Sequence, residues 1–219
     1  MSKRTIFITA TDTHAGKTIA TFVLGTLFKA RGLDVGVMKP VQCAGDDAAF
    51  LKKTLNINDD LNVINPCYAP GPLSPHLAFR RAGTKVDVAR IRRTHKALLA
   101  RHDVLLIEGA GGLMVPLKKG YYNADLVRDL KAEVIIVARL GLGTINHTLL
   151  TINQAAAYGL KVKGVLFSDI TGKTKGLAEK TNPAEIRRLS GVKVLGVIPY
   201  LKNFTAREVL TKCRHLSAV

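Results

Sequence analysis

Residues 10 to 18 read Ala-Thr-Asp-Thr-His-Ala-Gly-Lys-Thr, and they lie between a β-prone run, Thr5 to Thr9, and an amphipathic segment, Ile19 to Ala30. A strand, a small-residue loop ending in Gly-Lys-Thr and a helix make a phosphate-binding loop. Its backbone N–H groups converge on phosphate oxygens, its lysine reaches the outer phosphates, and its hydroxyl serves Mg2+. Gly16, Lys17 and Thr18 supply these parts. The spacing is a variant, with Ala10 in place of a leading glycine and five residues between it and Gly16.

Other residues of chemical interest follow apolar runs, where an α/β sheet collects ligands at the carboxyl ends of its strands. Lys39, in Met38-Lys39-Pro40-Val41-Gln42-Cys43, could neutralise an anion, or could be a surface lysine at a turn. Asp46-Asp47 opens a helix, where capping and dipole complementarity are reason enough for two carboxylates. In Glu108-Gly109-Ala110-Gly111-Gly112 a carboxylate at a strand end precedes small residues, which suits a magnesium ligand beside an anion nest. Between Arg139 and His147, Gly141 and Gly143 precede a helix beginning near Thr144. Its free N–H groups suit a carboxylate, although a plain helix start reads equally well.

The elements that must position these residues alternate. Strand-like runs at 35–41, 104–107, 134–138, 162–167 and 194–198 are separated by helical patterns at 46–55, 86–100, 123–130, 144–158, 182–189 and 205–216. Asp87, Asn123 and Asn182-Pro183 read as helix caps. Such alternation implies an α/β fold, a mainly parallel sheet with helices on both faces. The proline-rich stretch from Asn62 to Pro75 reads as an ordered loop or lid. No internal repeat or boundary divides the chain, so a single domain over residues 1–219 is expected.

A chain of 219 residues can bury roughly 70% of its unfolded surface. No apolar run approaches the ~20 residues of a membrane span, and the apolar stretch after Lys3-Arg4 is too short for a signal peptide. A cytoplasmic protein is expected, and Cys43, Cys67 and Cys213 read as free thiols. The net charge of +17 would suit polyanions, but the cations are spread along the chain, with clusters at Arg80-Arg81, Arg90 to Arg93 and Lys173 to Lys180 and no interleaved aromatics. A basic solvated surface is the first reading and nonspecific polyanion binding the second; no specific nucleic-acid partner is expected.

Taken in order, these motifs resemble the dethiobiotin synthetase family, of phosphate-loop NTPase-like fold. The markers are Thr11-Asp12-Thr13 with Gly16-Lys17-Thr18, Lys39-Pro40-Val41, Ser74-Pro75-His76, Glu108 to Gly112 with Pro116-Leu117, Leu140-Gly141 with Ile145-Asn146-His147, and Ile198-Pro199. The resemblance implies an ATP- and Mg2+-dependent cyclo-ligase that joins 7,8-diaminopelargonate and CO2 through a carbamate and its phosphoric anhydride. It also implies roles for individual residues. Lys17, Lys39 and Thr13 serve the carbamate and the transferring phosphoryl group, and Thr18, Asp47 and Glu108 hold Mg2+. His14, Ala15, Gly16, Lys17, Thr18, Ile19, Glu108 and Gly111 line the nucleotide phosphates, with Ser168, Asp169, Pro199, Tyr200 and Leu201 around the base. Cys43 and Gly111 face the substrate, whose carboxylate meets the N–H groups of Thr144, Ile145 and Asn146 from the partner subunit of a homodimer.

Four positions depart from the family pattern. Ala10 replaces a glycine, which matters if φ there is positive. His14 occupies a position often acidic, and Cys43 one where serine touches the substrate. Ser168-Asp169 stands where Asn-Asp reads the adenine edge, and a hydroxyl cannot make that paired contact. A nucleotide-switched partitioning-type ATPase that binds polyanions is the alternative. Such proteins usually carry another lysine early in the loop, and positions 10 to 15 hold none.

Overall fold

The computed structural model describes residues 3–172 and 176–216. Part of the basic cluster from Lys173 to Lys180 therefore lies outside the described residues. Six strands form the main sheet: β1 (Arg4–Ala10), β2 (Val35–Met38), β3 (Val104–Gly112), β4 (Glu133–Arg139), β5 (Val162–Ser168) and β6 (Val194–Ile198). They lie in the order β6-β5-β4-β1-β3-β2, and every pair is parallel. The helices are α1 (Lys17–Lys29), α2 (Asp47–Thr54), α3 (Leu61–Ile64), α4 (Pro75–Arg81), α5 (Val88–Arg101), α6 (Asn123–Asp129), α7 (Thr144–Ala157), α8 (Leu177–Ser190) and α9 (Ala206–Lys212).

Alternation along the strands divides the core into two layers. Ile6 and Ile8 of β1 pack with Phe22 and Leu24 of α1, Leu51 of α2 and Val209 of α9. Phe7 packs on the other face, with Leu98 of α5, Leu126 of α6, Ile152 of α7 and Ile186 of α8. A strand covered on both faces has no polar side to show, which is why these runs read as continuously apolar. No described helix is long and apolar enough to cross a membrane.

Several elements differ from the sequence reading. The run 35–41 is not one strand: β2 stops at Met38, and Val41–Gln42 pairs instead with Cys67–Tyr68. Lys39 N donates to Ile64 O at 2.8 Å and Asn65 Nδ2 to Lys39 O at 2.7 Å, while Pro40 has no N–H to continue a ladder. The 62–75 stretch thus contains the last turn of α3 and a strand, and its final proline opens α4 at a position that needs no N–H donor. Asn182-Pro183 is no cap. Helix α8 begins at Leu177, and Asn182 is buried inside it, donating to Leu140 O at 2.8 Å. Asp87 does cap, accepting from Arg90 N at 2.8 Å. Asn123 does not: it is the first residue of α6, and its side chain points elsewhere. The last helix stops at Lys212, and a separate 3-10 turn covers Arg214–Leu216.

Candidate active site

The loop after β1 delivers Lys17 and Thr18 at the start of α1. Ala10 is the last residue of β1 and its φ is not positive, so alanine fits there without strain. Gly16 caps α1 at φ 93°, and a Cβ there would stand 2.6 Å from Ser168 Oγ, so glycine is required on both counts. His14 also has positive φ, 57°. Ala15 is fully buried beneath the loop.

Three elements converge on Lys17. Lys39 follows β2, Asp47 begins α2 and Glu108 lies within β3. Lys39 Nζ lies 2.5 Å from Glu108 Oε1 and 2.7 Å from Asp47 Oδ2. The Thr18 hydroxyl lies 3.0 Å from Glu108 Oε1 and 3.2 Å from Asp47 Oδ1. Neither Asp46 nor Asp47 caps α2 with its side chain. Gln42 does that work, with Oε1 accepting from Ala48 N at 3.1 Å and Nε2 donating to Gly45 O at 2.8 Å, so Asp47 is left free to face the cavity.

Burial, with Lys39 close by, lowers the Lys17 pKa to about 8. Burial also acts against the Lys39 ammonium, but Glu108 and Asp47 outweigh it and hold its pKa above the ordinary lysine value. The site therefore holds one firmly charged lysine and one whose charge is weakly held and suited to an anionic ligand. Burial raises the Cys43 thiol to about 11, so it sits at the cavity as a neutral group.

A cavity of about 740 Å³ gathers most of the expected residues: Thr13, His14, Gly16, Lys17, Thr18, Ile19, Lys39, Cys43, Asp47, Glu108 and Gly111. Pro72 to Pro75 also line it, which puts the proline-rich segment at its wall. Ser168 and Thr144 are not among its lining residues. They line a second space of about 300 Å³ with Arg139 and His147. Ile145 and Asn146 follow on the first turn of α7, behind Gly143 at φ 89°. Asp169 shapes the next turn, its Oδ1 accepting from Gly172 N at 2.8 Å, and its N–H donates to Ile198 O at 2.9 Å, which brings Pro199, Tyr200 and Leu201 alongside. Arg139, 3.4 Å from Asp12, is a neighbour of the loop that the sequence did not single out.

No group of three or more His, Cys, Asp or Glu among the described residues is arranged to hold a metal ion unaided. The set present suits a hard cation shared with phosphate oxygens and water. Glu108 Oε2 is buried without a hydrogen-bond partner, an acceptor whose cost a bound cation would remove.

Residues 4–208 match a family described as an AAA domain. ATP-dependent dethiobiotin synthetase of Thermodesulfovibrio yellowstonii is 40% identical over 93% of this chain and 91% of its own. The enzyme of that name from Nitrosopumilus maritimus is 36% identical over 92% and 91%. Among solved structures, the septum site-determining protein MinD from Pyrococcus horikoshii superposes with a TM-score of 0.66 at 16% identity, covering 98% of this chain and 94% of its own. A ParA family ATPase from Chlorobium tepidum gives 0.59 at 14%, covering 99% and 95%. Those two share the fold. The match to curated relatives extends over more than nine-tenths of both chains, and the chain belongs to the ATP-dependent dethiobiotin synthetase family.

Proposed function

We propose that this chain acts as one catalytic unit, an ATP-dependent ligase that closes the cyclic urea of dethiobiotin from 7,8-diaminopelargonate and CO2 in biotin biosynthesis. The observation that carries the reading is the convergence of Lys17, Lys39, Thr18 and Glu108 in front of one phosphate loop.

In this mechanism one amine of the substrate adds to CO2, giving a carbamate and releasing a proton. A carbamate oxygen attacks the γ-phosphorus of ATP, and ADP leaves. The second amine then attacks the anhydride carbon and phosphate leaves, closing the ring. The carbamate and the ATP phosphates are both anionic, so the protein supplies positioning and positive charge. Lys39 is held between Glu108 and Asp47, and the arriving phosphates would stabilise the weakly held charge on Lys17. Thr13 and Gly111 line the same space. Thr18, Asp47 and Glu108 would hold Mg2+, whose charge would offset that developing on the phosphate oxygens.

The carboxylate end of the substrate falls to the first turn of α7 from a second copy of the chain. Within one chain Thr144 of that turn lines the 300 Å³ space, whereas Lys17, Thr18, Lys39 and Glu108 line the 740 Å³ cavity. Leu142, 97% exposed just before α7, and Leu150, 60% exposed within it, are apolar groups that a partner would cover. A homodimer with its sites near the subunit interface is the assembly this reading requires. A cytoplasmic location goes with it, one that three buried free thiols suit. The partitioning-ATPase alternative is not favoured, since its support is likeness of fold at 14–16% identity.

The test is phosphate release with ATP, Mg2+ and bicarbonate, with and without 7,8-diaminopelargonate, followed by mass spectrometry for the cyclic urea. Diamine-dependent turnover with product is expected. Turnover indifferent to the diamine, or stimulated by DNA alone, would refute the assignment.

A further inference from the structure

Strand β3 leaves the sheet where it meets the cavity. Ile8 pairs with Glu108 and Ala10 with Gly112, so two steps along β1 face four along β3 and the extra residues bow outward. Three glycines of this segment could carry no side chain without strain. A Cβ at Gly109 would meet the Phe7 ring at 2.7 Å, one at Gly112 would meet Ala10 O at 3.1 Å, and Gly111 has φ 64°. So open a bulge, rich in glycine, does not hold one shape unaided.

Asn123 supplies the restraint. It is 1% exposed, and its Nδ2 donates to Ala110 O at 2.7 Å and to Gly112 O at 2.8 Å, using both amide protons. Its own backbone is fixed by a bond from its N–H to Val115 O at 3.1 Å. A trans peptide sets N–H opposite C=O, so turning Ala110 O towards Asn123 turns the Gly111 N–H away from it. Ala110 and Gly111 line the 740 Å³ cavity beside Lys17 and Lys39.

We infer that Asn123 is a positioning residue: by tying down the carbonyls on either side of Gly111, it aims the Gly111 N–H at the anionic reacting groups in the cavity. An amide is required because both carbonyls need donors. A carboxylate of the same size would set an acceptor against two acceptors, and only its protonated form could restore one bond. The inference rests on the ligase reading for its activity arm but not for its structural one.

The experiment compares Asn123→Ala and Asn123→Asp with the native chain in diamine-dependent turnover, ATP KM, melting temperature and amide hydrogen exchange over residues 109–113. Two lost bonds to buried carbonyls predict a fall in kcat of roughly 10- to 100-fold with ATP KM changed less than about threefold. Exchange in the bulge should quicken. Asn123→Asp should regain activity as pH is lowered towards 6, a limb the native chain lacks. Unchanged kcat and exchange in folded Asn123→Ala would overturn the inference. So would losses of kcat, ATP affinity and melting temperature all in step, with no acid recovery in Asn123→Asp, since that marks mere structural support. If the native chain ignores the diamine, the ligase reading falls, and the exchange measurement still decides the role of Asn123.

Discussion

Lys39 and Glu108 are next-door residues across a strand pair: Met38 faces Ile107 in the parallel register of β2 and β3, and each of the two is the next residue along its own chain. Their 2.5 Å contact is therefore fixed by the sheet rather than by flexible side chains finding each other. Lys39 is 4% exposed and Glu108 1%, so the pair is desolvated and depends on its own geometry.

Removing one member of such a pair strands the other. Lys39→Ala should lower unfolding stability by about 3–5 kcal/mol, measured by urea at neutral pH, as well as removing turnover. Lys39→Ala combined with Glu108→Ala should cost clearly less than the sum of the single changes. Additive losses would show that the pair does not act as a unit.

A second ion-paired carboxylate, on α6, gives a pH dependence. Burial acts to raise the pKa of Asp129, but the Tyr121 hydroxyl, donating at 2.5 Å, and the Arg92 guanidinium outweigh it and the net shift is downward. A folded-state pKa below the unfolded one means stability that is present above the unfolded value, near 4, and lost as pH falls through the folded one. Asp129→Asn should therefore unfold earlier in urea than the native chain at pH 7, and the gap should close below pH 4. A gap that stays constant from pH 7 to pH 3 would contradict this.

The parts legible in the sequence were those with a local signature. The phosphate loop needs only its own residues and flanks, and buried parallel strands announce themselves as apolar runs. The convergence of Lys39 with Glu108 depends on β2 lying beside β3, a matter of sheet order for partners 69 positions apart in sequence. Prolines misled twice, at Pro75 and Pro183, because a helix accepts at its first turn, or absorbs in its interior, a residue that local rules read as a break. Asn123 and Asn182 read as caps, yet both are buried and spend their amides on distant carbonyls, which only the folded chain brings near.

Ser168 bears on nucleotide choice. It is buried at the end of β5, and its Oγ lies where a Cβ at Gly16 would crowd it. One hydroxyl cannot present a paired donor and acceptor to a base edge. ATP, CTP, GTP and UTP should support turnover with kcat/KM values within roughly a factor of ten of one another, because one bidentate contact is worth about 1–3 kcal/mol. A hundredfold preference for ATP would show that backbone groups near Pro199 to Leu201 read the base instead.

The partner role proposed for α7 can be tested, apart from simple dimerisation, by complementation. Asn146 lies in the first turn of α7, where the N–H is not needed by the helix, so Asn146→Pro removes a donor while sparing the helical ladder. It should raise KM for the diamine by on the order of tenfold or more and leave ATP KM near native. Lys17→Ala should be inactive for a different reason, the loss of charge at the phosphates. If α7 serves the site of the other subunit, a mixed dimer contains one site with both defects and one with neither. Random exchange of equal amounts makes half of the dimers mixed, so about a quarter of the native rate should return under diamine concentrations where each variant alone is silent. If α7 serves its own subunit's site, every site in the mixture carries one defect and mixing restores nothing.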